Sequence, residues 1–296
     1  MGKGSGYAKV ILFGEHFVVY GLPAIGVALA KKTDVEVSKS QHMRVESSHA
    51  DASLLNGLEA IKNAMGIKDS FVVKIKSEIP LGSGLGSSAA VSVAYVRALA
   101  DEYGLQLTGE QISAYAYEAE KVYHGTPSGI DNTLASSGGA IFYQNTDGKS
   151  AVKPLNVGKP LNIVIGNTGK KQGSTAEIIA AVRGRREKNP GIYEDLFNAE
   201  RKVIDGAVKA IEHGDPAALG ELMNINHGLL SAMGVSTKEN GDIIYAARVF
   251  GAYGAKITGA GMGGSCVILA KNEKNAEDIA NEIRKMGYLA ITSVVQ

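Results

Sequence analysis

Residues 79–90 read Ile-Pro-Leu-Gly-Ser-Gly-Leu-Gly-Ser-Ser-Ala-Ala, a run whose glycines and hydroxyls suit the binding of a bulky anion. The alternating stretch Phe71-Val-Val-Lys-Ile-Lys76 before it reads as a strand. The small and apolar residues 89–100 after it read as a helix that stops at Gly104. Gly82, Gly84 and Gly86 then lie in a turn that feeds a helix N-terminus. Without Cβ atoms such a turn can bring backbone N–H groups against an anion, and the helix start adds free donors and a positive dipole end. Ser83, Ser87 and Ser88 supply hydroxyls for phosphate oxygens or Mg²⁺. The chemistry is that of a polyphosphate cradle, although the same glycines would also serve a turn that packs a strand close to a helix. A P-loop is excluded because no Lys follows these glycines. At the nearest miss, Gly148-Lys149-Ser150, Tyr143 stands where the first Gly belongs. A dinucleotide fingerprint fails too, since Ser87 takes the place of the third Gly and Asp101 and Glu102 fall inside the helix.

Three further segments carry chemistry-bearing residues. Lys256-Ile-Thr-Gly-Ala-Gly-Met-Gly-Gly-Ser265 contains a formal G-x-G-x-x-G at Gly259, Gly261 and Gly264, but Cys266-Val-Ile-Leu-Ala270 after it is a strand rather than a helix. It reads either as a tight hairpin loop or as a second wall of N–H donors. Lys9-Val-Ile-Leu-Phe-Gly-Glu-His-Phe-Val-Val-Tyr-Gly21 punctuates apolar strands with Lys9, Glu15 and His16. Glu120 near a helix end and Asp131 after a Gly/Pro-rich loop form a candidate acid pair. Taken singly, each has an ordinary structural role: an edge lysine, a solvated late-helix glutamate, a turn aspartate capping its own backbone. Their occurrence together in one chain favours chemistry.

The elements that must position them follow from periodicity. Residues 10–13 and 17–20 predict a hairpin or strand-turn-strand around Gly14-Glu15-His16, and 24–30 and 35–37 predict short strands. Residues 54–65 have helical spacing, and Thr108 with Gln111 forms a capping box opening a helix to about Tyr123. Residues 138–143 and 161–165 read as strands, with a turn at Asp147-Gly148 between them and a domain boundary in 154–160. Helices are expected over 175–185, 193–213, 217–232, 241–253 and 275–286, with strands at 255–258 and 266–270. Strand-rich first and helix-rich later, the chain is expected to form two α+β domains, 1–155 and 160–296. Its 296 residues are 45% hydrophobic and 21% charged, with a net charge of +1 that leaves no footprint for nucleic acid or membrane surface. The single Cys266 excludes a disulfide framework and a cysteine metal cluster, and a reducing cytoplasm is the expected setting. Residues 1–9 lack a signal-peptide apolar core, and no apolar run approaches a membrane span. H-E-x-x-H and C-x-x-C, the marks of metal hydrolases, do not occur.

Pro80-Leu-Gly-Ser-Gly-Leu-Gly-Ser-Ser-Ala-Ala90 resembles the ATP loop of the GHMP small-molecule kinases, and Lys256-Ile-Thr-Gly-Ala-Gly261 resembles their C-terminal glycine motif. Within that superfamily, the Lys9–Gly21 segment and His124-Gly-Thr-Pro-Ser-Gly-Ile-Asp-Asn132 are similar to the mevalonate kinases. The motifs stand in the family's order over nearly the whole chain. A galactokinase would carry a different sugar-binding signature, and a diphosphomevalonate decarboxylase would lack the Gly-Glu-His segment.

The resemblance implies an N-terminal ribosomal-protein-S5-like ATP-binding domain and a C-terminal ferredoxin-like domain with the active site in a cleft between them, often in a homodimer. It implies ATP-dependent phosphorylation of the C5 hydroxyl of mevalonate. Pro80, Leu81, Gly82, Ser83, Gly84, Leu85, Gly86, Ser87 and Ser88, with Gly261, would cradle ATP. Ser88 and Glu120 would hold Mg²⁺, with Ser87 the alternative hydroxyl. Asp131 would accept the C5 hydroxyl proton beside Lys9, while Glu15, His16 and Thr175 would line the acceptor pocket. Two departures from the family pattern, Tyr7-Ala8 for Pro-Gly and Met262 for Gly, leave every catalytic group in place. A sibling kinase acting on phosphomevalonate or another alcohol, and a non-catalytic ligand sensor, are the alternatives. A phosphorylated acceptor calls for more basic residues than Glu15-His16 supplies, and a sensor has no use for Lys9, Glu120 and Asp131 together.

Overall fold

Glycines alternate along the start of the first strand, and alternation in a strand places them on one face. A Cβ at Gly2, Gly4 or Gly6 would lie 2.1, 2.3 or 2.1 Å from the carbonyl oxygens of Ala98, Ala94 and Ala90. Those alanines recur every four residues, the ridge spacing of a helix. A glycine face on the strand and an alanine ridge on the helix thus bring two backbones together, and this contact sets the geometry around Lys9.

The computed structural model describes residues 1–47, 51–80, 82–124, 127–146 and 149–296. In chain order the elements are β1 (Gly2–Phe13), a 3-10 turn (Val18–Tyr20), β2 (Ala24–Ser40), β3 (Arg44–Glu46), α1 (Ala52–Ala64), β4 (Ser70–Ser77), α2 (Ser87–Tyr103), α3 (Gly109–His124) and α4 (Ile130–Ser137). There follow β5 (Ala140–Thr146), β6 (Lys149–Leu155), β7 (Leu161–Lys171), α5 (Thr175–Lys188), α6 (Pro190–Glu212), α7 (Pro216–Ala232), α8 (Lys238–Val249), β8 (Gly254–Ile257), β9 (Gly263–Ala270), α9 (Glu273–Lys285) and β10 (Leu289–Val295). No helix among the described residues is long and apolar enough to cross a membrane.

The chain forms two compact units. The first comprises Met1–Lys9 and Ala28–Gly138. Here β4 pairs antiparallel with the second half of β2 and parallel with β3, and α1 to α4 pack together. Their shared core runs from Val35 and Phe71 through Tyr95 and Leu99 to Ala135. The second unit comprises Val10–Val27 and Gly139–Gln296. Its four-stranded sheet has the order β10-β7-β9-β8, all antiparallel, which is the arrangement of a ferredoxin-like β-α-β-β-α-β unit. In the same unit β5 pairs with β6 and with Ala24 to Val27 of β2. Those pairings draw β5 and β6 into the second unit, so grouping by contact divides the chain at 138/139 and around 10–27.

Several local expectations are corrected. Residues 17–20 form no strand: Gly14 and Gly21, at φ 94° and 83°, turn the chain too sharply for a hairpin, and a 3-10 turn fits between them. Residues 24–30 and 35–37 are parts of one long strand, β2, carried through Lys31 to Asp34. The loop before residue 138 contains a helix, α4, that its Gly and Pro content conceals. The Asp147-Gly148 turn lies outside the described residues.

Candidate active site

In the first unit, Lys9 stands at the end of β1, where its backbone N–H donates to the Leu85 carbonyl at 2.9 Å. That bond holds the strand against the glycine loop. A Cβ at Gly86 would meet the Lys9 side chain at 2.7 Å, so only glycine there lets the lysine stem pass. The stem is buried, and its Nζ meets Asp131 Oδ1 at 3.0 Å. Asp131 sits in the first turn of α4, where a carboxylate faces the positive end of the helix dipole. The neighbouring Asn132 fastens α4 to α3 by donating to the Ser113 carbonyl at 2.9 Å.

The loop itself has the form of a cradle. Gly82, Gly84 and Gly86 all adopt left-handed φ values, and beside Gly82 and Gly84 there is nothing within 4 Å of a would-be Cβ. Ser83 turns inward, donating to the Pro80 carbonyl at 2.6 Å, and Leu85 is buried. Ser87 and Ser88 open α2, whose first turn carries no acidic residue to occupy its free N–H groups. Leu81 lies outside the described residues. A cavity of about 630 Å³ adjoins the start of α2, lined by Ser87 and Ser88 and by apolar residues including Leu54, Ile75, Ile79 and Val91. A lining that mixes hydroxyls with apolar side chains suits a nucleotide.

Glu120, on the last turns of α3, is 2% exposed rather than solvated. Burial, reinforced by the Asp131 charge, pushes its carboxyl above the usual range, against the pull of His124, the Ser88 hydroxyl and Lys9. Its Oε1 has no hydrogen-bond partner, and Oε2 lies 3.7 Å from His124 Nε2. Glu120 is therefore a buried carboxylate near the Lys9–Asp131 pair with one oxygen orphaned. No group of three or more His, Cys, Asp or Glu could hold a metal ion among the described residues. The donor set that is present, one carboxylate and a hydroxyl beside a phosphate cradle, is what Mg²⁺ uses when substrate phosphates and water complete its shell.

The second unit gathers Glu15 and His16. Glu15 forms an ion pair with Lys256 of β8, and both side chains are buried. The other oxygen of Glu15 has no partner. His16, at φ 61°, bonds the Ala260 carbonyl at 2.9 Å. Burial, aided by Arg185 and Lys171, pushes the imidazole below its usual pKa despite the Ala260 bond and Glu15. Thr175 is exposed at the start of α5, where its hydroxyl accepts from Lys171 Nζ at 2.8 Å. Gly261 is a residue of close approach: its Cβ would lie 2.3 Å from the Val235 carbonyl, whereas Gly259 and Gly264 have open space beside them. Met262 sits at φ 55°, a left-handed conformation that a glycine would adopt without strain.

Sequence reasoning assigned no role to Lys256, Lys171 or Arg185, nor to the cavity-lining apolar residues. Lys256 carried a signal, since a lysine inside a short apolar strand must find a buried partner. The cavity residues come from α1, β4 and α2, and no linear pattern joins them.

Comparison with known proteins identifies the family. Residues 53–140 match the GHMP kinases N terminal domain, and residues 207–289 match the GHMP kinases C terminal domain. A mevalonate kinase of Pyrococcus horikoshii is 40% identical, the match covering 98% of this chain and 94% of the relative. One from Methanothermobacter thermautotrophicus is 34% identical over 89% of this chain and 88% of its own length. Among solved structures, the L. major mevalonate kinase in complex with R-mevalonate superposes with a TM-score of 0.93 at 32% identity, covering 100% of this chain and 96% of that one. With both family domains matched and identity of this order along its length, the chain belongs to the mevalonate kinase family of the GHMP kinases.

Proposed function

We propose that this chain transfers the γ-phosphoryl group of ATP to the C5 hydroxyl of mevalonate, giving 5-phosphomevalonate. The observation that carries the reading is the Lys9–Asp131 pair at 3.0 Å, next to a glycine loop and a helix start that are free to take phosphates. Phosphoryl transfer requires placement and charge neutralisation more than covalent chemistry. The loop from Pro80 to Ser88 holds the triphosphate through backbone N–H groups, and the cavity beside Ser87 receives the rest of the nucleotide. Ser88 and Glu120 would hold Mg²⁺; the orphaned Glu120 Oε1 and the excess of carboxylate over ammonium fit that ion. When bound, it neutralises phosphate charge as the P–O bond breaks.

Asp131 is half-buried, and one of its oxygens is engaged by Lys9. The other is left to accept the hydroxyl proton. Lys9 restrains the carboxylate and places positive charge where the attacking oxygen becomes anionic. In a loose transition state the alcohol becomes acidic only as the new P–O bond forms, so a carboxylate is a sufficient base. Glu15 and His16, with Thr175, are assigned to the mevalonate side, His16 as a neutral imidazole that can orient a hydroxyl. A homodimer belongs to the same reading, and sedimentation would return twice the chain mass.

The test is ADP release over a panel of alcohols. Release should depend on mevalonate and yield 5-phosphomevalonate. A higher kcat/KM with phosphomevalonate, homoserine or galactose would overturn the substrate.

A further inference from the structure

Glu200 is fully buried on α6, and none of the steps above uses it. It takes a place in the apolar stripe Tyr193, Phe197, Glu200, Ile204, Ala207, Ile211, whose spacing of four and three residues is that of a packed helix face. A leucine there would cost nothing to bury, whereas a buried acid is costly unless it is hydrogen-bonded. Both carboxylate oxygens are bonded. Oε1 accepts from the backbone N–H of Gly14 at 3.2 Å, and Oε2 accepts from Asn226 Nδ2 on α7.

The Gly14 bond reaches the start of the acceptor turn. Gly14 has φ 94°, and a Cβ there would lie 2.5 Å from the Pro23 carbonyl, so the backbone has a single narrow path out of β1. Glu15 and His16 follow at once, and the Val18 N–H closes the turn on the Gly14 carbonyl at 3.0 Å. Whatever fixes the Gly14 peptide therefore fixes the direction of both side chains. We propose that Glu200 is the positioning residue of the acceptor subsite, holding the Gly14 N–H so that Glu15 and His16 are set for the acceptor, and that it works as an ionised carboxylate. This rests on the assignment of Glu15 and His16 to mevalonate.

Both partners of Glu200 donate, which is the pattern an ionised carboxylate requires. A proton on Oε2 would face the Asn226 N–H, and only turning that amide over would present its Oδ1, a buried atom with no partner in the present arrangement. The groups that act on Glu200 are Glu15 from the turn, Lys256 from β8, Asn226 from α7 and the Gly14 N–H. Burial and then Glu15 raise its pKa to about 7, against Asn226, Lys256 and Gly14, which lower it. The positioning bond is thus strengthened as pH rises through neutrality.

Steady-state kinetics across neutral pH on wild type, Glu200→Asp, Glu200→Gln and Glu15→Gln test this. Asp is one methylene short of Gly14, so Glu200→Asp should raise the mevalonate KM about tenfold, the loss of one charge-assisted bond, with the ATP KM unchanged. Glu200→Gln keeps the reach, so its mevalonate KM should stay nearer wild type, but it cannot ionise. It should lose the rise in kcat/KM for mevalonate that is expected of wild type through a pH of about 7. Persistence of that rise in Glu200→Gln would overturn the proposal. So would a wild-type KM in Glu200→Asp, or an ATP KM that moves with the mevalonate KM. If Glu200→Asp does not fold, the Glu200→Gln profile decides alone. An unchanged mevalonate KM in Glu15→Gln would sink the substrate assignment itself; a raised one beside a silent Glu200→Asp would sink only the role of Glu200.

Discussion

Each unit holds a lysine–carboxylate pair, and the two pairs differ in what solvent can reach. Lys9 and Asp131 meet at 3.0 Å with side chains 10% and 33% exposed. Lys256 and Glu15 are 0% and 1% exposed. A carboxylate with an open side can receive a substrate and a proton. One sealed against an ammonium cannot lose that partner without leaving a charge stranded, because the desolvation already spent on the pair is recovered only while both partners remain. The same two residue types therefore keep an open side in one unit and are locked together in the other, and burial makes the difference.

Removing the acceptor from the open pair should have the largest effect. Asp131→Asn keeps shape and hydrogen bonding but cannot take the proton, so kcat should fall by ~10²–10⁴ with the ATP KM little changed. Near-normal turnover in a folded Asp131→Asn protein would reduce Asp131 to a cap of α4. The sealed pair should answer in stability instead. Lys256→Met strands Glu15 and should cost about 3–5 kcal/mol in denaturant unfolding, while replacing both residues by methionine should recover much of that loss. Stability unmoved by Lys256→Met would mean that the pair is not sealed in solution. A smaller effect is expected next to the open pair: Glu120→Gln should raise the Mg²⁺ concentration for half-maximal activity by about tenfold and spare the mevalonate KM. An unchanged Mg²⁺ activation curve would take Glu120 out of the metal site.

How far the sequence disclosed these sites depended on local pattern. The loop from Gly82 to Ser88 was legible because the apolar period changes from two to that of a helix across it. The capping box at Thr108 and Gln111 forms as read, with both reciprocal bonds present. α4, which carries Asp131, was concealed because eight residues are too few to show a period and Gly and Pro precede them. Residues 17–20 looked like a strand because Phe, Val and Tyr favour strands, but the left-handed turns at Gly14 and Gly21 outweigh that preference. Glu120 was read as one of an acid pair but without its burial, and Glu200 drew no reading at all. What no pattern supplied is which partners bury with them, since Ser88, Gly14 and Asn226 come from distant parts of the chain.

The most direct test of the contrast is a double-mutant cycle on kcat with Lys9→Met and Asp131→Asn, measured with saturating ATP and mevalonate. If the open pair acts as one unit on the acceptor oxygen, the double variant should lose far less than the product of the two single losses, because the second substitution removes a partner already disabled. Losses that multiply would contradict the account, leaving Lys9 and Asp131 as neighbours with separate roles.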